Sequence, residues 1–380
     1  LGYYLDRYEE GVEYYLSANE VDPSTRPSVT GDGSLAFFVN SQNDACFIET
    51  DCFGCEQSLG FPGEIGSVAM SPDGQVYGFV LLDEFGERDD TILVVDLRGE
   101  GREFVFELVS PAIDGVSTNT ILYADSMDFT SDNRYLIYDA FNTLEFQDGT
   151  RLGTWSIYAI DLETEQTFAL STPIADLNVG FPSLSQTTDH MITFEAADAA
   201  TGDSIILTGN LISGESAAVG MVPGNWGIPG YNGDDSSIIY SYPGDSPTGF
   251  YLKKQPLAKD SMTPEGVSSK AFELVSGGYA GVIYRRGEYS APGQNVSVSP
   301  DSVFFGKAYL GERLNASVTI SNTGSSNLKI ENYYLTGANA SQFSISGGTC
   351  KGSTLVPSGS CVVPVSFSPL SQGKKTATLS

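Results

Sequence analysis

The chain is 380 residues long, 41% hydrophobic and 11% aromatic, which is enough for two or three domains with sizeable cores; 20 Tyr and 21 Phe against two Trp suit β-structure. Nineteen Lys and Arg against 48 Asp and Glu give a net charge of −29, a surface that repels nucleic-acid phosphates and anionic membranes. A single histidine that falls on a tight turn, with no Gly-x-Ser-x-Gly, argues against a Ser-His-Asp triad, and its lone count excludes a multi-histidine metal centre. No P-loop or dinucleotide fingerprint is present, and no run approaches the ~20 apolar residues that span a bilayer.

In chain order, the first signal is a recurring Asp-containing turn. It appears as Thr30-Gly31-Asp32-Gly33, Ser71-Pro72-Asp73-Gly74, Thr130-Ser131-Asp132-Asn133, Thr187-Thr188-Asp189-His190 and Asn232-Gly233-Asp234-Asp235. An apolar strand is expected after each turn, at 35–39, 76–82, 135–138, 191–194 and 238–240. A loop and another strand are expected after that, at 46–48, 92–97, 155–162, 204–208 and 249–252. Fourth strands fit at 103–109, 168–170, 217–219 and 271–275. Asp-Gly between two β-rich runs is a strong hairpin signal, because glycine tolerates the positive φ of a tight turn. A period of 40–60 residues built from four short strands predicts β-propeller blades. Five such units are visible. A sixth is expected to be split, with 280–284 supplying one strand and 3–5 and 12–16 supplying two more, so that few sheet edges remain. His190 falls on one of the turns and is read as a turn residue.

The segments Ser71-Pro72-Asp73-Gly74, Ile92-Leu93-Val94-Val95-Asp96-Leu97 and Ile157-Tyr158-Ala159-Ile160-Asp161-Leu162 resemble the repeat of TolB-like, WD-type (PD40) β-propellers. That resemblance implies a rigid disc over residues 1–290 that binds proteins, peptides or sugars, and it implies no one chemistry.

The composition then changes. Residues 293–380 carry six Lys/Arg and three Asp/Glu, net +3, whereas 1–292 carry 13 and 45, net −32. A linker is placed at 291–294. Short alternating strands with frequent turn residues follow at 296–306, 316–324, 328–330, 343–345, 362–367 and 376–379, which predicts an immunoglobulin-like β-sandwich over 295–380. The fold class is therefore all-β: a propeller of six blades plus a sandwich. Ser321-Asn322-Thr323-Gly324, Gln342-Phe343-Ser344-Ile345, Leu355 to Cys361 and Val365-Ser366-Phe367-Ser368-Pro369 resemble the choice-of-anchor D module, a relative of ASPM–hydin immunoglobulin-like domains. The resemblance implies a bacterial surface or secreted protein, a chain that continues past Ser380, and a disulfide between Cys350 and Cys361. On the chain-entropy model such a bond contributes roughly 3 kcal/mol and places the chain in an oxidising compartment.

Cys46, Cys52 and Cys55 are expected to hold one disulfide and one spare thiol, with the pairing open. Haem attachment is excluded because position 56 is Glu rather than His. Acidic runs at Asp83-Glu84, Asp89-Asp90 and Asp234-Asp235 offer oxygen ligands for Ca2+, although none has a spaced Asp-x-Asp-x-Asp-Gly loop. No cofactor is otherwise expected. The reading these residues support is a non-catalytic extracellular or cell-surface binding or assembly protein, with a protein or glycan partner and self-assembly through the immunoglobulin-like domain. Nucleic acid and membrane insertion are not expected. The alternatives are a carbohydrate-active enzyme using acids in the propeller funnel and a periplasmic TolB-like scaffold.

Overall fold

The structure, a computed structural model, describes residues 6–9, 12–17, 19–22, 25–60, 64–83, 85, 87–98, 101–187, 190–246, 249–258, 261–265, 271–276, 278–281, 296–300, 302–322, 328–330, 332–356 and 359–379. Among these the secondary structure is β throughout, apart from one short 3-10 turn at Ala340–Gln342. Two compact units divide between Ala291 and Pro292.

The first unit is a β-propeller whose described residues form five four-stranded antiparallel blades, each a simple meander from inner to outer strand. The first blade uses Ser28–Val29, Leu35–Val39, Ala45–Glu49 and Gln57–Ser58. The second uses Ile65–Met70, Val76–Leu81, Thr91–Asp96 and Arg102–Glu107. The third uses Val116–Phe129, Tyr135–Phe146, Arg151–Asp161 and Gln166–Ala169. The fourth uses Leu177–Leu184, Met191–Asp198, Ser204–Asn210 and Ser216–Val222. The fifth uses Gly230–Tyr231, Ser237–Pro243, Phe250–Pro256 and Phe272–Ser276.

Apolar side chains on the blade faces fill the spaces between neighbours. Phe37, Val39, Ile65 and Phe79 join the first blade to the second, and Val80, Ile92, Met127 and Tyr138 the second to the third. Ile157, Val179 and Ile192 join the third to the fourth, and Ile206, Val219, Ile238 and Tyr240 the fourth to the fifth. Burial of such faces supplies the main stabilisation, at about 25 cal/mol per Å2.

The expected sixth blade is not assembled among the described residues. Asp6–Glu9 pairs with Val12–Tyr15 as a two-stranded ribbon, and residues 3–5 and 282–284 lie outside the description. Leu16, just after the ribbon, packs into the first blade beside Ala36, Phe38 and Cys46. The third blade also departs from expectation. Its inner three strands run to 14, 12 and 11 residues, because the hairpin turns at Asp148-Gly149, where the Asp148 carboxylate accepts the Thr150 N–H. Within 135–162 only the two end segments were expected to be strands.

Four of the five Asp turns share one hydrogen-bond pattern; Thr188 and Asp189 of the other lie outside the described residues. In the second blade the Ser71 hydroxyl donates to Asp73, which also accepts the Gln75 N–H, while the Ser71 oxygen accepts the Val76 N–H. Thr30, Asp32, Ser34 and Leu35 repeat it, as do Thr130, Asp132, Arg134 and Tyr135, and Asn232, Asp234, Ser236 and Ser237. The residue after each Asp is left-handed: Gly33 (φ 68°), Gly74 (67°), Asn133 (59°) and Asp235 (54°). Glycine, Asn and Asp tolerate that region best.

The second unit holds a four-stranded sheet in the order Val296–Ser299, Leu314–Asn322, Ser360–Phe367, Phe343–Ile345, with two-stranded ribbons pairing Leu328–Lys329 with Thr354–Leu355 and Leu335–Thr336 with Thr378–Leu379. Its core gathers Val318, Ile320, Val363 and Val365 from the sheet with Leu328 and Leu355 from a ribbon, around the disulfide Cys350–Cys361. The first strand ends at Ser299, shorter than the expected 296–306.

Replacing Gly74 by Ala forces a Cβ into left-handed backbone, 3.3 Å from Thr30 Cγ2, and is expected to cost about 1 kcal/mol. Gly74→Asn should lose less. Urea unfolding midpoints of the two variants check the order.

Candidate functional site

The inner strands line the propeller axis; Arg26, Ser67, Ser126 and Ile228 stand four residues ahead of the turns that open at Thr30, Ser71, Thr130 and Asn232, and Phe181 stands six ahead of Thr187. Arg26 is the central group. Its guanidinium donates to the carbonyl oxygens of Pro229 (2.6 Å) and Pro182 (3.0 Å), and pairs with Asp128 at 3.6 Å. One side chain from the segment ahead of the first blade thus ties together the third, fourth and fifth. Asp128 in turn accepts the Leu184 N–H and the Ser183 hydroxyl. Burial lowers the Arg26 pKa and raises that of Asp128, each opposed by the other's charge.

A second set of buried acids clasps successive blades. Asp139, fifth residue of its strand, accepts the N–H of Ser126 in its own blade and of Phe181 in the next, both at 2.7 Å. Glu195, fifth in the equivalent strand of the fourth blade, accepts the N–H groups of Gly227 and Ile228 and the Ser204 hydroxyl. Ser241, fifth in the fifth blade, accepts the Ala280 N–H. Each clasped residue is left-handed: Phe181 (φ 52°), Ile228 (49°) and Ala280 (50°). The preceding residue is glycine in two cases, for want of room. A Cβ on Gly180 would lie 2.8 Å from Asp139 Oδ2, and one on Gly227 would lie 3.2 Å from Glu195 Oε1. Ala280 holds the place that Phe181 and Ile228 hold, where a further inner strand would begin.

Burial, then the nearby Asp125 carboxylate, pushes Asp139 up to about 8. Burial also raises Glu195.

Beside the clamp lies a small polar pocket lined by Thr25, Arg26, Ser67, Asp125 and Ser126, with Val68 and Met127 as its apolar floor. Asp125 is the titratable group there. It pairs with Arg88 at 2.9 Å, and burial pushes its carboxyl up to about 6 against the pull of that guanidinium. Arg88 also lies over the Tyr123 ring. Phe181 meets Trp226 edge-on at 5.2 Å, both partly exposed. The pocket, about 10 Å3 and room for a single water, thus gathers a carboxylate, a guanidinium and hydroxyls, and the Phe181–Trp226 pair lies outside its lining.

Four of the six acids marked out for Ca2+ accept hydrogen bonds from N–H and O–H groups of the chain. Asp83 accepts the N–H groups of Phe85 and Glu87, and Asp89 accepts that of Asp90. Asp234 closes its turn, while Asp235 accepts the N–H groups of Gln186 and Thr187 and the Thr187 hydroxyl, joining the fifth blade to the fourth. Glu84 lies outside the described residues. Among the described residues no three His, Cys, Asp or Glu side chains come together as metal ligands would. Cys52 is bonded to Cys55, and Cys46 is a buried thiol that burial pushes up to about 11, a poor nucleophile. Burial lowers the pKa of His190, whose carbonyl accepts the Leu211 N–H.

No family model matches the sequence, and no curated protein does. Among solved structures the chain is similar to a putative TolB from Agrobacterium tumefaciens (15% identity, TM-score 0.44, covering 68% of this chain and 84% of that one). It is also similar to the β-propeller domain of Cps50 (Swd1) from Myceliophteria thermophila (9%, 0.40, 82% and 82%) and to an oligogalacturonate lyase from Vibrio parahaemolyticus (10%, 0.40, 70% and 68%).

Two expectations follow from the axis. Arg26→Ala strands two buried carbonyls and Asp128, and should cost about 3–5 kcal/mol, with Arg26→Lys recovering little because an ammonium lacks the planar fork; chemical denaturation measures both. The raised acids set the pH dependence. Between the unfolded carboxylate pKa near 4 and the folded values at Asp125 and Asp139, about 6 and about 8, the folded molecule holds protons the unfolded chain has released, so stability rises as pH falls from 8 towards 5. Below about 4 it should fall again, as Asp96 and Asp161, held low with the help of Arg98 and Arg134, are protonated. Melting temperatures across pH 3–9 test the dome; a maximum at or above pH 8 would contradict it.

Proposed function

We propose that this chain is a non-catalytic binding or assembly protein of the cell surface or extracellular space, whose propeller recognises a protein or glycan at its axial mouth. The second unit, read as an immunoglobulin-like module of choice-of-anchor D type, serves as spacer and assembly element. The observation that carries this reading is the state of the axial charges. Arg26, Asp128, Asp139 and Glu195 are each spent on backbone groups of neighbouring blades, which makes the disc rigid and leaves a preorganised mouth of hydroxyls, the Asp125–Arg88 pair and the Phe181–Trp226 rings. Rigid polar and aromatic surfaces favour recognition because little is lost on ordering them. Two disulfides support an oxidising compartment, extracellular or surface-bound, with the periplasm as the alternative.

One observation favours the second reading, a carbohydrate-active enzyme. Asp125 sits at the pocket with its carboxyl pushed up to about 6, in the range of a general acid. Binding to glycan and peptide arrays, followed by calorimetry, tests the first reading: Asp125→Asn and Trp226→Ala should each weaken capture about tenfold, ~1.4 kcal/mol, with no product formed. Turnover of any polysaccharide in a panel, lost in Asp125→Asn, would replace it with the second.

A further inference from the structure

The second unit exposes apolar side chains at one end of its sheet. Leu314 pairs with Phe367 there, and Phe343 pairs with Phe367 on its other side. The Gly311 N–H donates to the Pro369 carbonyl, which sets Tyr309 and Leu310 beside Leu370. These three are 85%, 60% and 72% exposed. Phe304 is 95% exposed next to Phe305, whose ring packs on Phe343 and Phe367. Four of the unit's six cations belong to the same loops: Lys307, Arg313, Lys374 and Lys375. Arg313 reaches Ser366, and Lys375 donates to the Gln372 carbonyl. Exposed apolar side chains on loops that carry these four cations and one acid, Glu312, which accepts the Tyr309 N–H, make an interaction surface.

The first unit carries the complement. There the Leu82–Arg88 bridge and the Asp83 N–H to the Glu87 carbonyl bring residues 82–83 and 87–88 together. Between them Phe85 is 80% exposed, in a stretch of sequence that carries Asp83, Glu87, Asp89 and Asp90. The unit as a whole is −32.

We propose that the Tyr309–Leu310–Leu370 end of the second unit docks on the Phe85 loop of another copy of this chain, giving head-to-tail self-association. Charge decides the occupant. Two copies of the basic end repel one another, as do two Phe85 loops, so a self-complementary dimer through either patch is disfavoured, whereas one of each attracts. The contact is therefore heterologous, and such contacts grow into rings or filaments rather than stopping at a dimer. This rests on the reading of the second unit as an assembly element. The loop shares Arg88 with the axial pocket through Asp125, but neither Phe85 nor Leu370, the residues changed below, lines that pocket.

Sedimentation velocity on the full chain tests it. The wild type is expected to associate with rising concentration, and its association constant to fall about tenfold or more between about 0.05 M and 0.5 M salt, as the Debye length shrinks. Leu370→Asp and Phe85→Ser, both surface changes, should each be monomeric while keeping wild-type melting temperature and ligand binding. Mixed one to one, these two variants should form a dimer and nothing larger, since each keeps the half the other lacks. A wild type that stays monomeric in low salt, a mixture that stays monomeric, or wild-type binding to anionic vesicles that Leu370→Asp abolishes would overturn the proposal.

Discussion

The propeller depends on one guanidinium. The inner strands of the first and fifth blades are only two residues long, Ser28–Val29 and Gly230–Tyr231, so backbone ladders contribute least where the two ends of the run approach the axis. Arg26 supplies there what the ladders do not. Its planar fork reaches acceptors in two blades at once and carries a charge that Asp128 of a third blade balances. Moving that charge out of water is costly, and the cost is offset by the two carbonyls and the Asp128 carboxylate that it meets.

The buried carboxylates obey the same accounting. A left-handed residue in a strand turns its N–H out of the ladder, and a buried N–H without a partner is rarely tolerated. Phe181 and Ile228 create such donors, and Asp139 and Glu195 receive them. The kink and the acid therefore form one device. The first two blades show the converse. Val39 and Val80 hold the equivalent fifth position, each among the apolar residues packed between blades. From Asp139 onward, a clasp is thus added to the apolar contacts between successive blades.

The turns and most strands were legible because Asp followed by Gly or Asn between apolar runs has a local cause: the side chain satisfies its own turn, whatever surrounds it. Strand length was less so. The outer parts of the third blade read Thr118-Asn119-Thr120 and Asn142-Thr143, polar segments that hide the pairing of the two strands there, with Ile121 and Leu144 the buried apolar residues beside them. The axial cluster was missed because its members lie far apart in sequence, yet a signal was present. Gly180-Phe181-Pro182 and Gly227-Ile228-Pro229 share a Gly-x-Pro triplet, and Ile228 stands four residues ahead of its turn as Arg26 does, with Phe181 six ahead, so aligning the units on the residue before each proline would have brought them together. The acidic doublets were conspicuous for the opposite reason: adjacency in sequence says nothing about convergence, and Asp234 and Asp235 serve different partners.

Negative charge on this chain is therefore of two kinds. Part is buried and spent within the molecule, at Asp128, Asp139, Glu195 and Asp235, and each of these raised carboxyls relieves some repulsion in the folded state by retaining a proton more readily. The larger part remains outside, on a unit whose net charge of −32 opposes compaction and repels its own kind. A chain of that character associates only where an opposite charge is supplied locally. Its second unit, net +3, is where the same chain supplies it.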